Sequence, residues 1–318
     1  NKLSLKNIYA QGNITGDAFC IGGIVGCISS HNADAISIVD SQVDVVVIGF
    51  STVGALVGRI SNSAKSTAII TIKRVLVNGS VEVFMDWDTG SIGQIKLKGG
   101  EIKLEDINAN IMIKSVDRNC GGLVGSLQLY NSVVAEIENI HIDVSLDGGY
   151  DLGGLLGEVS LEGESELGIN KIYVYGQLSG IGSIGGLIGD INSTVNTQMT
   201  IKNSLFEGVV SGKKYLGGFL GSKLGDGLLA ISNSLSAIDV IAEGEGKDIG
   251  GFAGLIENTD ISASYATGKV TGSEKASKYS KGSQNVGGFI GYSKGAVHLD
   301  RIYAAVIVSS VNVKPSVL

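Results

Sequence analysis

Proline occurs once in 318 residues, cysteine, histidine and methionine three times each in total, and tryptophan once. Charged residues make up 17% of the chain and aromatics 6%. Each scarcity excludes something. One proline cannot support collagen, which also needs glycine at every third position. Three cysteines, Cys20, Cys27 and Cys120, lack metal-type spacing and are too few and odd in number for a disulfide framework. They read as small buried side chains, with pairing of Cys20 and Cys27 left open. No basic stripe with interleaved aromatics stands out against 24 basic and 31 acidic residues, so nucleic acid is not an expected partner. No apolar run reaches the roughly 18 residues of a membrane-spanning helix, and membrane insertion is not expected. The chain opens at Asn1 and is read as a segment of a longer polypeptide.

What is abundant is glycine, 48 residues, on a background that is 43% hydrophobic. That apolar content excludes disorder. The glycines cluster in a short motif, best seen as Gly185-Gly-Leu-Ile-Gly189, that returns along the whole sequence. Taking the first glycine of each copy gives Gly22, Gly54, Gly93, Gly121, Gly153, Gly185, Gly217, Gly250 and Gly287, nine copies mostly about 32 residues apart. Copy two carries Ala55 at the second glycine site, and copy three reads as the worn Gly93-Gln-Ile-Lys. A glycine repeated at one place in each copy implies a positive φ or an approach too close for a Cβ. The copies rank the first glycine as the most constrained and the second as requiring smallness alone.

Between motifs lie alternating apolar and polar segments, the signature of strands. Ile137-Glu-Asn-Ile-His141, Ile169-Asn-Lys-Ile-Tyr173 and Ile201-Lys-Asn-Ser-Leu205 align copy against copy. A period of this length is a repeat architecture, read before local signals. The expected fold is all-β: a right-handed parallel β-helix, or β-solenoid, of about nine coils with ~32 residues per coil, filling 1–318 as a single domain. The handedness rests on the general preference of parallel crossovers. Alternation puts Ile169, Tyr173 and Tyr175 on one face, which predicts internal ladders of Ile/Leu and of Tyr/Leu, with His141 as a packed ring in the second.

The run Ile261-Ser-Ala-Ser-Tyr-Ala-Thr-Gly268, then Val270-Thr-Gly272, a spacer, and Val286-Gly-Gly-Phe-Ile-Gly-Tyr292 resembles the GLUG repeat of bacterial surface proteins. The resemblance extends over essentially the whole chain, with copies two and three divergent. That repeat occurs in secreted or cell-wall-attached adhesins and beside the catalytic domain of immunoglobulin A-cleaving metallopeptidases. The resemblance implies an extracellular, cell-surface, non-catalytic adhesive or structural region. Its implied partners are flanking domains of the same polypeptide and a host or matrix glycan or protein. It transfers no catalytic residue, and the chain has no His-Glu-x-x-His zinc motif.

Chemistry is sparse. A phosphate-cradling loop needs a following helix, and the residues after each motif are strand-like. His31, His141 and His298 are too far apart for one coil to bring them together. No catalytic, cofactor-binding or metal-binding residues are assigned, and no cofactor is expected. The ligand-binding candidates are Asp86, Trp87 and Asp88, where the period is disturbed and a tryptophan lies between two acids. The plain alternative is an irregular turn with solvated acids. A polysaccharide lyase or hydrolase on the same fold and an accessory module of a secreted protease are the competing functions. The polar run Ser273–Gly282 reads as an exposed loop.

Overall fold

The computed structural model describes residues 2–30, 34–63, 66–84, 88–116, 118–273 and 284–310. The described residues form strands, turns and bends with no helix, and the strands pair in parallel with those of the coil before and after. This is the expected β-solenoid. Coil five shows the plan. A strand at Val134–Asp147 is followed by a glycine turn, a strand at Tyr150–Gly153 and another at Leu156–Leu161. Residues 134–138 form a first segment, 140–147 a second and 150–161 a third. Equivalent segments of successive coils stack at the ~4.8 Å strand spacing. Eight such steps separate the first glycine motif from the ninth, about 38 Å of solenoid.

The Ile/Leu ladder is present as expected. Ile137 pairs in register with Leu104 on one side and Ile169 on the other, and Ile169 with Ile201. All four side chains are buried in the core. The Tyr/Leu ladder is not internal, and this corrects the sequence reading. Asn139 and Lys171, between the first and second segments, have φ of 56° and 55°, and the same left-handed corner recurs at Asn7, Asp106, Asn203 and Asn233. One left-handed residue breaks the two-residue period of a strand. Ile169 and Ile172 therefore both point inward, whereas Tyr173 and Tyr175 point outward. Asparagine and aspartate tolerate this backbone better than most residues, which explains their recurrence at the corner.

None of the motif glycines has a positive φ; close approach is the requirement. A Cβ on Gly153 would lie 1.9 Å from the carbonyl oxygen of Leu156, and one on Gly185 1.9 Å from that of Ile188. The third glycine is as confined, since a Cβ on Gly157 would lie 2.5 Å from the oxygen of Gly125 in the coil before. The second donates its N–H to the equivalent residue of the next coil, Gly154 to Gly186 at 3.0 Å, and a Cβ there would meet that same oxygen at 2.3 Å. The second site thus demands smallness and not a left-handed backbone, as expected, and at Gly154 the space is too small even for a methyl.

Copy three also needs correction. Gly90, not Gly93, pairs with Gly54 and Gly121, while Gly93 lies beside Ile92 opposite Gly58 and Gly125. The motif there is Gly90-Ser-Ile-Gly93, one residue shorter, and the register shifts on both of its flanks. Ala55 stands against this shift, where its methyl is accommodated.

The core closes with aromatic and polar exceptions. Phe219, Phe252 and Phe289 stack at 4.7 Å between ring centroids. Lys223 occupies the row that holds Ile191 and Val159 in earlier coils, and its Nζ donates to the carbonyl oxygens of Gly225 at 2.7 Å and Gly227 at 2.6 Å. Cys20 and Cys27, expected as buried side chains, are half-buried and exposed and are joined by a disulfide across the first glycine motif, with Cα atoms 5.9 Å apart, while Cys120 is buried with its Sγ 3.5 Å from the carbonyl oxygen of Arg118. Residues 274–283, most of the expected Ser273–Gly282 loop, lie outside the described residues, as does His31.

Candidate functional site

Because the corner residue reverses the alternation, the residues of each second segment in register with His141, Asp143 and Ser145 face solvent, many of them polar or aromatic, while Phe206 and Ser236 at intervening positions are buried. The outward positions form continuous rows. One runs through Asn108, His141, Tyr173, Leu205 and Tyr265 and ends at Tyr303. The next includes Asp44, Asn78, Asn110, Asp143, Tyr175 and Glu207. The imidazole of His141 stacks on the Tyr173 ring with centroids 4.7 Å apart and planes 12° from parallel. Tyr173 donates its hydroxyl to Glu207 Oε2 at 3.4 Å. Partial burial and that carboxylate raise the phenol above its ordinary pKa.

Coils one to three bind their polar row internally. Asp44 accepts from Asn78 Nδ2 at 2.7 Å and Gln42 Nε2 at 2.8 Å, and the amide contacts hold its carboxyl below the usual range. In coils four to six the row is open at Asn110, and so is the adjacent row of Met112, Ser145 and Gln177: Asn110, Ser145 and Gln177 make no side-chain hydrogen bond to the described residues. They line a shallow groove of about 680 Å³ with Asp143, Tyr175 and Met112. Tyr175 is 51% exposed and Met112 60%. A second groove, about 290 Å³, shares Asn78 and Gly79 with the first and extends the depression toward coil one.

Of the three sequence candidates, Asp86 and Trp87 lie outside the described residues. Asp88 is placed, and it is buried at 2% exposure, not solvated. Its carboxylate accepts from Gln94 Nε2 at 2.5 Å and Asn119 Nδ2 at 2.7 Å. Asn119 also reaches Glu158 Oε2 at 3.1 Å, which accepts from Ser126 at 3.0 Å. Two coils on, Ser222 donates to Asp190, lies 3.0 Å from Ser183, and Asn192 donates to Asp190 at 2.6 Å. The result is a polar spine beside the glycine motifs. Burial pushes Asp88 and Asp190 up to about 6. Asp151 rises to about 7, through burial and then the negative charges of Asp190 and Glu158.

These acids are satisfied by protein donors, and among the described residues no group of three or more His, Cys, Asp or Glu is arranged to hold a metal ion. His141 and His298 stand on separate ladders, opposite Tyr173 and Asp260. The outward row was missed because strict alternation was carried through the corner. The signal for it was present: Ile137 and Ile140 are apolar three residues apart, which a single strand face does not allow.

Stacked parallel coils, a repeated glycine corner and one open lateral face define a β-solenoid repeat region. Comparison with known families adds the name of the repeat: residues 245–271 match the GLUG motif. The chain thus carries a GLUG repeat, which runs from the end of the strand Leu235–Gly250 through the glycine motif and the strand Ala253–Ser262 into the strand Tyr265–Gly272. No curated protein and no solved structure matches the chain.

Proposed function

We propose that this chain is a non-catalytic repeat region of a secreted or cell-surface protein, serving as a rigid support and adhering to a host or matrix ligand through its outward second-segment face. The observation that carries this reading is the open row of Asn110, Asp143 and Tyr175, held on a backbone ladder that continues through the coils on either side. A rigid parallel scaffold places such side chains at fixed spacing, and the ordering cost of binding is small. The Cys20–Cys27 disulfide supports an oxidising, extracytoplasmic setting.

The competing reading is a polysaccharide-active enzyme, and the raised carboxyls of Asp151 and Asp190 are what favour it. Presenting the immobilised chain to arrays of glycans and matrix proteins, with polysaccharide cleavage measured in parallel, separates the two. Retention of a ligand without product release is the expected result. Chain shortening of a polysaccharide that disappears in Asp151→Asn would replace adhesion with catalysis.

A further inference from the structure

We propose that the groove formed by Asn110, Asp143, Ser145, Tyr175 and Gln177 binds a neutral oligosaccharide lying along the solenoid axis, an inference that rests on the adhesive reading above. The argument begins with what the groove leaves unpaired. In coils one to three the same row is tied up by Asn78 and Gln42 on Asp44. In coils four to six that row continues as Asn110, Asp143 and Tyr175, where the Asn110 amide has no hydrogen-bond partner among the described residues and Asp143 has only His141, 3.9 Å away; Ser145 and Gln177, in the adjacent row with Met112, are likewise without one. Amides and a carboxylate in two adjacent rows at strand spacing match the donors and acceptors of a chain of sugar hydroxyls.

The apolar contribution has the right form. Tyr175 and Met112 are more than half exposed at the groove and offer a ring and a thioether against which the C–H face of a pyranose can rest. Pockets that fix a ligand combine such surfaces with a few placed polar groups. The groove lies on the face of a sheet whose backbone is paired on both sides, so an extended peptide finds no strand edge to join.

Charge chooses among glycans. No lysine or arginine lines the groove, while Asp143 does and Glu207 flanks Tyr175 in its row. Sulfated, phosphorylated or uronate chains would meet these carboxylates, and Lys114, two residues beyond Met112, is already paired with Glu82 at 3.5 Å. A neutral or N-acetylated chain meets no such repulsion.

The test uses the 318-residue chain and isothermal titration with cellohexaose and chitohexaose, and with a heparin hexasaccharide as the anionic comparison. At least one neutral hexasaccharide is expected to bind, and Tyr175→Ala to weaken it about tenfold or more. Tyr175→Phe, which keeps the ring, is expected to retain binding, and Lys103→Ala, on the first segment, to leave it unchanged. Circular dichroism checks that each variant retains its strands. The inference is overturned if the folded chain binds neither neutral sugar at about 10 mM, if Tyr175→Ala has no effect, or if heparin binds more tightly. A matrix protein captured on the arrays by a chain that ignores both sugars would remove this inference and leave the adhesive reading intact. No capture of either kind removes both.

Discussion

Gly153 and Leu156 are three residues apart, yet a Cβ on the first would lie 1.9 Å from the carbonyl oxygen of the second. The chain folds back on itself at this corner, and the contact recurs between Gly185 and Ile188 and between Gly217 and Leu220. Only glycine satisfies it without moving backbone.

Gly185→Ala and Gly186→Ala are therefore both expected to destabilise, each by about 2 kcal/mol or more, as overpacking against backbone does. At Gly186 a methyl would meet Phe206 Cδ1 at 2.1 Å and the Gly218 oxygen at 2.2 Å. Ala55→Gly, at the register shift, is expected to change stability by less than either. Urea denaturation midpoints decide the matter; a neutral Gly186→Ala would show that the second site has room for a methyl.

The outward placement of Tyr173 gives a second prediction. Truncating it removes a stack on His141 worth about 0.5–1.5 kcal/mol. Truncating its buried neighbour Ile172 removes core volume at about 2–5 kcal/mol. Thermal or chemical unfolding of Tyr173→Ala and Ile172→Ala should rank them in that order, and the reverse order would return the tyrosines to the core.

The polar spine predicts an unusual pH dependence. Asp88, Asp151 and Asp190 have folded pKa values above their unfolded ones, about 6, 7 and 6, so the fold favours their protonated forms. Their contribution is fully present below the unfolded pKa of about 4 and is lost as pH rises through 6 to 7. Asp151 faces Asp190, Glu158, Arg118 and Ser183. Replacing it by asparagine removes the ionisation, so Asp151→Asn should raise the urea midpoint at pH 8 and leave it nearly unchanged at pH 4. The surface acids act oppositely. Asp40, held low by the Arg74 hydrogen bond, and Glu105, held low by Lys73, lose their contribution as pH falls through their folded values. Stability should pass through a maximum on the acid side of neutrality.

The disulfide lies in the first coil, and its loop spans only seven residues of separation. Cross-links of this size stabilise by about 2 kcal/mol in the chain-entropy account. Reduction should raise hydrogen exchange in residues 20–30 and leave the central coils unchanged, because a solenoid couples each coil only to its neighbours. Uniform loss of protection along the chain would show instead that the coils unfold as one unit.

The sequence by itself determined the architecture. A 32-residue period with matched Ile positions can bury its apolar faces only by stacking copy on copy, so the Ile137–Ile169–Ile201 ladder follows from spacing and hydrophobicity alone. It also marked the corners, because no other residue tolerates a contact like that of Gly153. Three things waited for the tertiary structure. The left-handed backbone at Asn139 and Lys171, one residue in each coil, decided that Tyr173 and Tyr175 face solvent, since a single φ inverts every position after it. The pairing of Gly90 with Gly54 and Gly121 decided where the third motif begins, because a one-residue deletion is invisible until neighbouring coils fix the register. The burial of Asp88, and the Asn119 amide that donates both to it and to Glu158, joined residues 31 and 39 positions from Asn119 in sequence. Electrostatics of that kind depend on separation in space, which the period suggests but only the packed coils set.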